Sequence, residues 1–156
     1  MNSIPNTIRA ILGAILFLLN YQVSFAQYSY LLADQVNVRA RPTTESKMVT
    51  RLPIGSGGEV IRTTGDLKIN GISAPWAEIR FGYDGEEATG YIWQGFLADK
   101  VHELGNGSYL IYGPEKVVPG EYFDRVLWQF RVFQGENQLA KVTADDIGGI
   151  GLFRDL

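Results

Sequence analysis

The chain contains no cysteine, and this absence removes several classes of protein from consideration. Without cysteine there is no disulfide framework, no thiolate nucleophile and no cysteine-ligated zinc site. A lipid anchor attached to a cysteine at a processing site is excluded for the same reason. The fold must therefore be held together by its apolar core.

Histidine is almost as scarce, since His102 is the only one. A metal site built on it would need carboxylates for all its other ligands, and its place in a predicted linker favours a solvated side chain. Residues 54–58 and 71–75 both depart from the Gly-x-Ser-x-Gly pattern of a nucleophile elbow. The pairs Glu86-Glu87 and Asp145-Asp146 are adjacent in sequence, so they cannot face each other across a glycosidase cleft. We therefore predict no catalytic residue, no metal site and no cofactor, and a protein that is not an enzyme.

Basic residues are too few for a nucleic-acid surface. The chain has 14 Lys and Arg against 17 Asp and Glu. Without residues 1–26, whose only charge is Arg9, 13 basic residues face 17 acidic ones, a net charge of −4. This mildly acidic balance argues against a nucleic-acid partner and against a polybasic membrane patch.

The first 26 residues have the layout of a secretory signal peptide. Arg9 precedes an apolar run over residues 10–19, and Ser24 and Ala26 are the small residues at positions −3 and −1 of a cut after Ala26. The apolar run is shorter than the ~20 residues that cross a bilayer. An uncleaved anchor or a buried helix is the alternative. We predict a signal-peptide helix at residues 1–26, export to the periplasm or the cell exterior, and no membrane span after cleavage.

Many short apolar runs bounded by Gly, Pro, Asn and Asp predict an all-β chain. Alternation with period two places Val36, Val38, Ile61, Ile79 and Ile92 on an inward face. Residues 65–75 are predicted to form a loop, with at most a small hairpin at 67–72. The predicted strands of the first half are Val36–Arg39, Met48–Leu52, 59–63, 76–81 and 89–93.

The second half has predicted strands at residues 109–112, 125–133 and 138–143, after a linker or turn at 102–107. The strand at 125–133 is apolar on both faces, with Trp128 and Phe130 opposite Leu127 and Phe133. A two-stranded hairpin cannot cover two apolar faces. One face must therefore pack on the first half, on a partner chain, or on segments that a longer relative would supply after Leu156. We favour packing on the first half, with some apolar area left exposed as a binding or self-association patch.

Three short sequence motifs in the first half occur in the order and with the spacing that a known domain family shows. Asn37-Val38-Arg39 is followed by Pro42, Trp76 opens a later strand, and Gly90-Tyr91-Ile92 closes the last one. Over residues 30–98 the chain resembles the bacterial SH3 domain (SH3b), a small β-barrel that serves as a binding module on cell-envelope proteins. The chain departs from the family at Arg41, where many members have glycine, and in the lengths of the loop at residues 65–75 and of the hairpin at residues 83–88.

The resemblance and the strand pattern together imply three segments. They are a signal peptide at 1–26, a small SH3-like barrel at 27–100, and a β-hairpin or meander unit at 101–156. The sequence leaves open whether the last unit is a complete domain. The resemblance also implies a bacterial, exported protein.

Five residues are candidates for a ligand-binding rim on the barrel: Trp76, Tyr91, Trp93, Arg39 and Arg41. Aromatic and arginine side chains dominate small interfaces, and arginine pairs well with ligand carboxylates. Each also has a structural explanation. Trp76 could fill the edge of the core, one of Tyr91 and Trp93 could face it, and the arginines could pair with acidic residues of the protein.

The function expected from these features is binding without catalysis. The ligand would be peptidoglycan or another peptide or protein of the cell envelope. One alternative is a structural or adaptor β protein, or a fragment of a larger exported protein, with no small ligand. Another is an enzyme or inhibitor fragment that uses the second half.

Overall fold

The structure, a computed structural model, describes residues 27–145 and contains two antiparallel β-sheets. The predicted all-β class is confirmed, because these residues form ten strands, one 3₁₀ turn and no α-helix. The predicted signal-peptide helix and the cut after Ala26 lie outside the described residues.

The first sheet has six strands and curls into a half-barrel. Its strand order is β1-β4-β5-β6-β2-β3, with every neighbouring pair antiparallel. The 3₁₀ turn, Gln94–Phe96, follows the last of these strands. The strands are β1 (Gln27–Tyr30), β2 (Val36–Arg39), β3 (Met48–Leu52), β4 (Gly57–Ile69), β5 (Ile72–Tyr83) and β6 (Glu86–Trp93).

The concave side of this sheet holds the first hydrophobic core, in which Val36, Val38, Ile79 and Ile92 are buried as predicted. The prediction for Ile61 is wrong, because Val60 packs on this core instead. The ladder between β4 and β5 is irregular between Val60 and Arg62, and such a bulge reverses the alternation of side chains beyond it.

Residues 65–75 do not form the predicted loop, because β4 and β5 continue through them as one long hairpin. The small hairpin predicted at 67–72 is the tip of this element. The turn is Asn70-Gly71, with φ of 52° and 81°, a backbone that Asn-Gly adopts readily. The tip reaches the second sheet, where the Val117 amide donates a hydrogen bond of 2.9 Å to the Asn70 carbonyl.

The second sheet has four strands in the order β10-β9-β8-β7. The linker or turn predicted at residues 102–107 is a turn only at Asn106-Gly107, because the residues before it, His102 included, lie in a strand that pairs with the next one. That pairing stabilises a polar, exposed segment in which no apolar alternation is visible. The strands are β7 (Lys100–Gly105), β8 (Ser108–Val118), β9 (Arg125–Gln134) and β10 (Asn137–Asp145).

The two sheets are joined by backbone hydrogen bonds and by a second hydrophobic core. The Leu32 amide donates to the Phe96 carbonyl at 2.8 Å, and the Ala98 amide donates to the Tyr30 carbonyl at 2.9 Å. Tyr30 stacks on Tyr109 of β8 with ring centroids 4.6 Å apart. The buried members of this core, which come from both halves of the chain, are Leu32, Ala98, Ile111 and Phe133.

Candidate functional site

The convex face of the first sheet carries a row of four polar side chains, one from each of four adjacent strands. In the sheet register Arg62 lies opposite Glu78, Glu78 opposite Tyr91, and Tyr91 opposite Arg39. Residues directly opposite in antiparallel strands share a face, and the neighbours Ala77 and Ile92 point into the core. We call Arg62, Glu78, Tyr91 and Arg39 the polar row.

Hydrogen bonds hold the middle of the polar row in one arrangement. The Nε of Arg62 donates to Glu78 Oε2, and its Nη2 donates to the Tyr91 hydroxyl at 3.1 Å. The Tyr91 hydroxyl in turn donates to Glu78 Oε2 at 3.0 Å. The hydrogen bond from Arg62 holds the pKa of Glu78 below its ordinary value, so this carboxylate stays ionised at neutral pH.

Arg62 is the member of the row that is open to a ligand. Its side chain is 66% exposed, whereas that of Glu78 is 19% exposed. A guanidinium has five N–H donors, and two groups among residues 27–145 accept from Arg62. The remaining donors can bind a carboxylate, and the guanidinium is already oriented by Glu78 and Tyr91.

An open groove of about 430 Å³ lies beside the polar row. Arg80, Glu59 and Glu87 line this groove. The Arg80 guanidinium pairs with both glutamates, with Nη1 2.7 Å from Glu59 Oε2 and Nε 3.4 Å from Glu87 Oε1. Glu86 also lines the groove, and the ring of Tyr28 lies over Gly57 at its wall. We call the surface formed by Glu59, Glu86 and Glu87 the glutamate groove, and its charge suits a ligand amine.

Trp76 and Trp93, predicted as rim residues, are buried in the structure, 7% and 3% exposed. They lie opposite each other on β5 and β6. The indole N–H of Trp93 donates to the carbonyls of Leu67 and Ala74, at 2.8 and 3.0 Å, and Phe96 packs against its ring. Both tryptophans therefore belong to the packing, because the long hairpin supplies polar partners that cover Trp93.

The other three predicted rim residues, Arg39, Tyr91 and Arg41, do not all lie in the polar row. Arg39 and Tyr91 are half-buried members of the polar row. Arg39 Nη1 donates to the Ser46 carbonyl at 2.8 Å, so it also holds the loop after β2. Arg41 lies exposed on that loop, near the row but not in it.

Sequence reasoning missed the two residues that complete the row, Arg62 and Glu78. A signal for Glu78 was available, because alternation in β5 places it on the face opposite Ile79. None was available for Arg62, because the bulge after Val60 reverses the alternation of β4.

The row and the groove can bind charged groups, and they contain no serine, cysteine or histidine that could act as a nucleophile or general base. Within residues 27–145 no cluster of His, Cys, Asp and Glu could hold a metal ion. His102 lies on the second sheet, exposed and stacked on Tyr112 with centroids 5.7 Å apart.

The described part of the chain has no helix long and apolar enough to cross a membrane. On the convex face of the first sheet, the pairs Arg62–Glu78 and Arg80–Glu59 place positive and negative groups side by side. No protein-family model, no curated protein and no solved structure matches the chain.

Proposed function

We propose that this chain is an exported, non-catalytic binding module of the bacterial cell envelope, with an SH3b-like barrel as its first half. The polar row is the observation that carries the proposal. It presents an oriented guanidinium, that of Arg62, beside a groove lined by glutamates. The ligand class is a peptide with free carboxylates and amines, such as the peptides of peptidoglycan.

The residues that carry the SH3b resemblance meet in the structure, which supports the barrel assignment. Asn37-Val38-Arg39 forms β2, which pairs with the strand of Gly90-Tyr91-Ile92, and this strand pairs with that of Trp76. A side chain at Gly90 would collide with Val38. Position 90 therefore requires glycine because Val38 packs against it. This contact is a physical reason why these two residues of the SH3b pattern occur together.

The spacing of the charged groups fits a short peptide. Glu78 and Arg80 are two residues apart on β5, so their side chains are separated by roughly 7 Å along the strand. A carboxylate bound by Arg62 and an amine bound at the glutamate groove would be one or two peptide units apart. Because Arg62 is held by two hydrogen bonds, ordering it costs less on binding than ordering a free arginine.

The test is binding of the purified protein to peptidoglycan, and to soluble peptides released from it, by sedimentation and calorimetry. Arg62→Gln removes the charge and is expected to lower affinity about tenfold or more, because a hydrogen bond to a charged group contributes ~1.5–3 kcal/mol. Arg125→Gln is the matched control, since Arg125 is an exposed arginine paired with Asp145 on the second sheet. Equal losses in both variants, or release of soluble fragments by the wild type, would contradict the proposal.

Export is tested separately, by mass spectrometry of the protein recovered from the periplasm or medium of an expressing bacterium. Cleavage after Ala26 gives an N-terminus at Gln27. A protein that stays in the cytoplasm with residues 1–26 attached would contradict this part of the proposal.

A structural or adaptor role is the second candidate. The burial of Trp76 and Trp93 favours it, because these two aromatic rings are not available as a ligand platform. Wild-type protein that fails to bind peptidoglycan and its peptides would support this candidate over the first.

A further inference from the structure

Two hairpins of the chain end in the same two-residue turn, and each turn reads Asn-Gly. Asn70-Gly71 joins β4 to β5, and Asn106-Gly107 joins β7 to β8. The residues that flank each turn pair with each other, and both asparagines are exposed. φ is 52° at both asparagines, 81° at Gly71 and 70° at Gly107, so both are type I′ turns. The turns form a matched pair that differs in its surroundings.

An Asn-Gly pair can modify itself without an enzyme. The backbone nitrogen of the glycine attacks Cγ of the asparagine and forms a C–N bond, while the side-chain nitrogen leaves as ammonia and takes the proton of the glycine N–H. Water then opens the resulting cyclic imide at either carbonyl, which leaves aspartate or isoaspartate. Glycine favours the reaction because it has no Cβ to hinder its nitrogen.

Ring closure requires the peptide plane between the two residues to turn over. The ring holds the asparagine at φ of roughly +60° and ψ of roughly −120°, the backbone of the first central residue of a type II′ turn. Type I′ needs positive φ at both central residues and type II′ only at the first, so a type I′ turn becomes type II′ when this plane turns over. Glycine at the second position permits the change of sign. The asparagine carbonyl moves with the plane, so a group that holds this carbonyl slows the reaction.

The carbonyl of Asn70 is held by the backbone of the second sheet. The Val117 amide donates to it at 2.9 Å. Gly71 also packs on this valine, since a methyl group at Gly71 would lie 2.6 Å from the Val117 Cβ. The plane after Asn70 can therefore turn over only if a backbone hydrogen bond and a close contact are both lost.

The carbonyl of Asn106 is held by a side chain instead. Gln134 Nε2 donates to it at 3.2 Å, on the exposed surface. A methyl group at Gly105 or at Gly107 would meet no described atom within 4 Å, so the space around the turn is open among residues 27–145. An exposed glutamine side chain can rotate away without any change in the sheet, and the plane after Asn106 is then free to turn over.

We propose that Asn106 is a site of spontaneous deamidation in the folded protein, slowed by Gln134, and that Val117 protects Asn70 from the same reaction. The product places a carboxylate at the tip of the β7–β8 hairpin. Where isoaspartate forms, the main chain gains one methylene within a two-residue turn. Because β7 is an edge strand of its sheet, this added length changes the pairing at that edge. Neither turn belongs to the polar row or the glutamate groove, so the proposal does not depend on ligand binding.

The test is incubation of the exported full chain at mildly alkaline pH, followed by digestion and mass spectrometry of the peptides that contain each asparagine. Each conversion replaces NH₂ by OH, and chromatography separates isoaspartate from aspartate. In the folded chain Asn106 is expected to convert several times faster than Asn70. In the same chain unfolded in urea the two rates are expected to be similar, because both are then exposed Asn-Gly pairs. Similar rates in the folded chain, or faster conversion of Asn70, would overturn the proposal.

Two variants test the two groups that hold the carbonyls. Gln134→Ala is expected to raise the rate at Asn106 roughly two- to tenfold, which corresponds to the net strength of one hydrogen bond, and to leave Asn70 unchanged. Val117→Pro removes the N–H that holds Asn70 and is expected to raise the rate at Asn70 alone. This N–H points to the hairpin tip and not to β9, so proline spares the β8–β9 ladder. An unchanged rate at Asn106 in Gln134→Ala, or a rise at both asparagines in either variant, contradicts the proposal.

Discussion

The indole N–H groups of Trp93 and Trp128 differ in whether they have a hydrogen-bond acceptor among residues 27–145. That of Trp93 donates to the Leu67 and Ala74 carbonyls in a site that is otherwise apolar. That of Trp128 is buried without a hydrogen-bond partner among the described residues. A buried donor without an acceptor costs ~1–3 kcal/mol. The indole of Trp93 therefore stabilises the fold through both its ring and its N–H, whereas only the ring of Trp128 does so.

The two Trp→Phe substitutions are expected to have different effects on the free energy of unfolding. Trp93→Phe leaves two carbonyls without their donor and should lower it by about 2 kcal/mol. Trp128→Phe removes an unpaired donor along with some apolar area, and should change it by less than about 1 kcal/mol. Urea denaturation followed by circular dichroism measures both, and equal losses would contradict the assignment.

At the scale of single strands, alternation predicted the core-facing side chains of three strands correctly. It placed Ile79 of β5, Ile92 of β6, and Val36 and Val38 of β2 inside. It failed in β4, where a bulge between Val60 and Arg62 adds a residue. The same bulge turns Arg62 towards Glu78, so the one wrong core residue and the missed site residue have a single cause. A bulge is set by pairing with a distant strand, which no local pattern reports.

The long β4–β5 hairpin explains two other errors of prediction, the loop at residues 65–75 and the rim position of Trp93. Its sequence has glycines at positions 65 and 71, which favours a loop when it is read locally. Pairing with β5 across residues 66–75 keeps it as a strand instead, and its carbonyls cover Trp93. The burial of Trp93 depends on contacts with residues 19 and 26 positions away in sequence. The residues next to Trp93 in sequence do not show these contacts, so the local pattern placed it on the ligand-binding rim.

At the scale of the whole molecule, the two sheets share a core, so we expect them to unfold together. Phe133 of β9 is 1% exposed and packs on Gly55, which lies in the turn between β3 and β4 of the first sheet. Its ring also stacks on Tyr109, which stacks on Tyr30 of β1. A loss of packing at Phe133 is therefore expected to destabilise both sheets.

Phe133→Ala, made in a Trp128→Phe background, tests this coupling. In that background the tryptophan fluorescence comes from Trp76 and Trp93 of the first sheet, while circular dichroism reports on both sheets. Removing a buried phenylalanine ring should cost ~3–5 kcal/mol and should lower the urea midpoint of the two signals equally. Phe123→Ala is the control, because Phe123 is 72% exposed and should leave both midpoints in place. If the fluorescence midpoint stays fixed while part of the dichroism signal is lost earlier, the first sheet folds without the second and the shared core does not couple them.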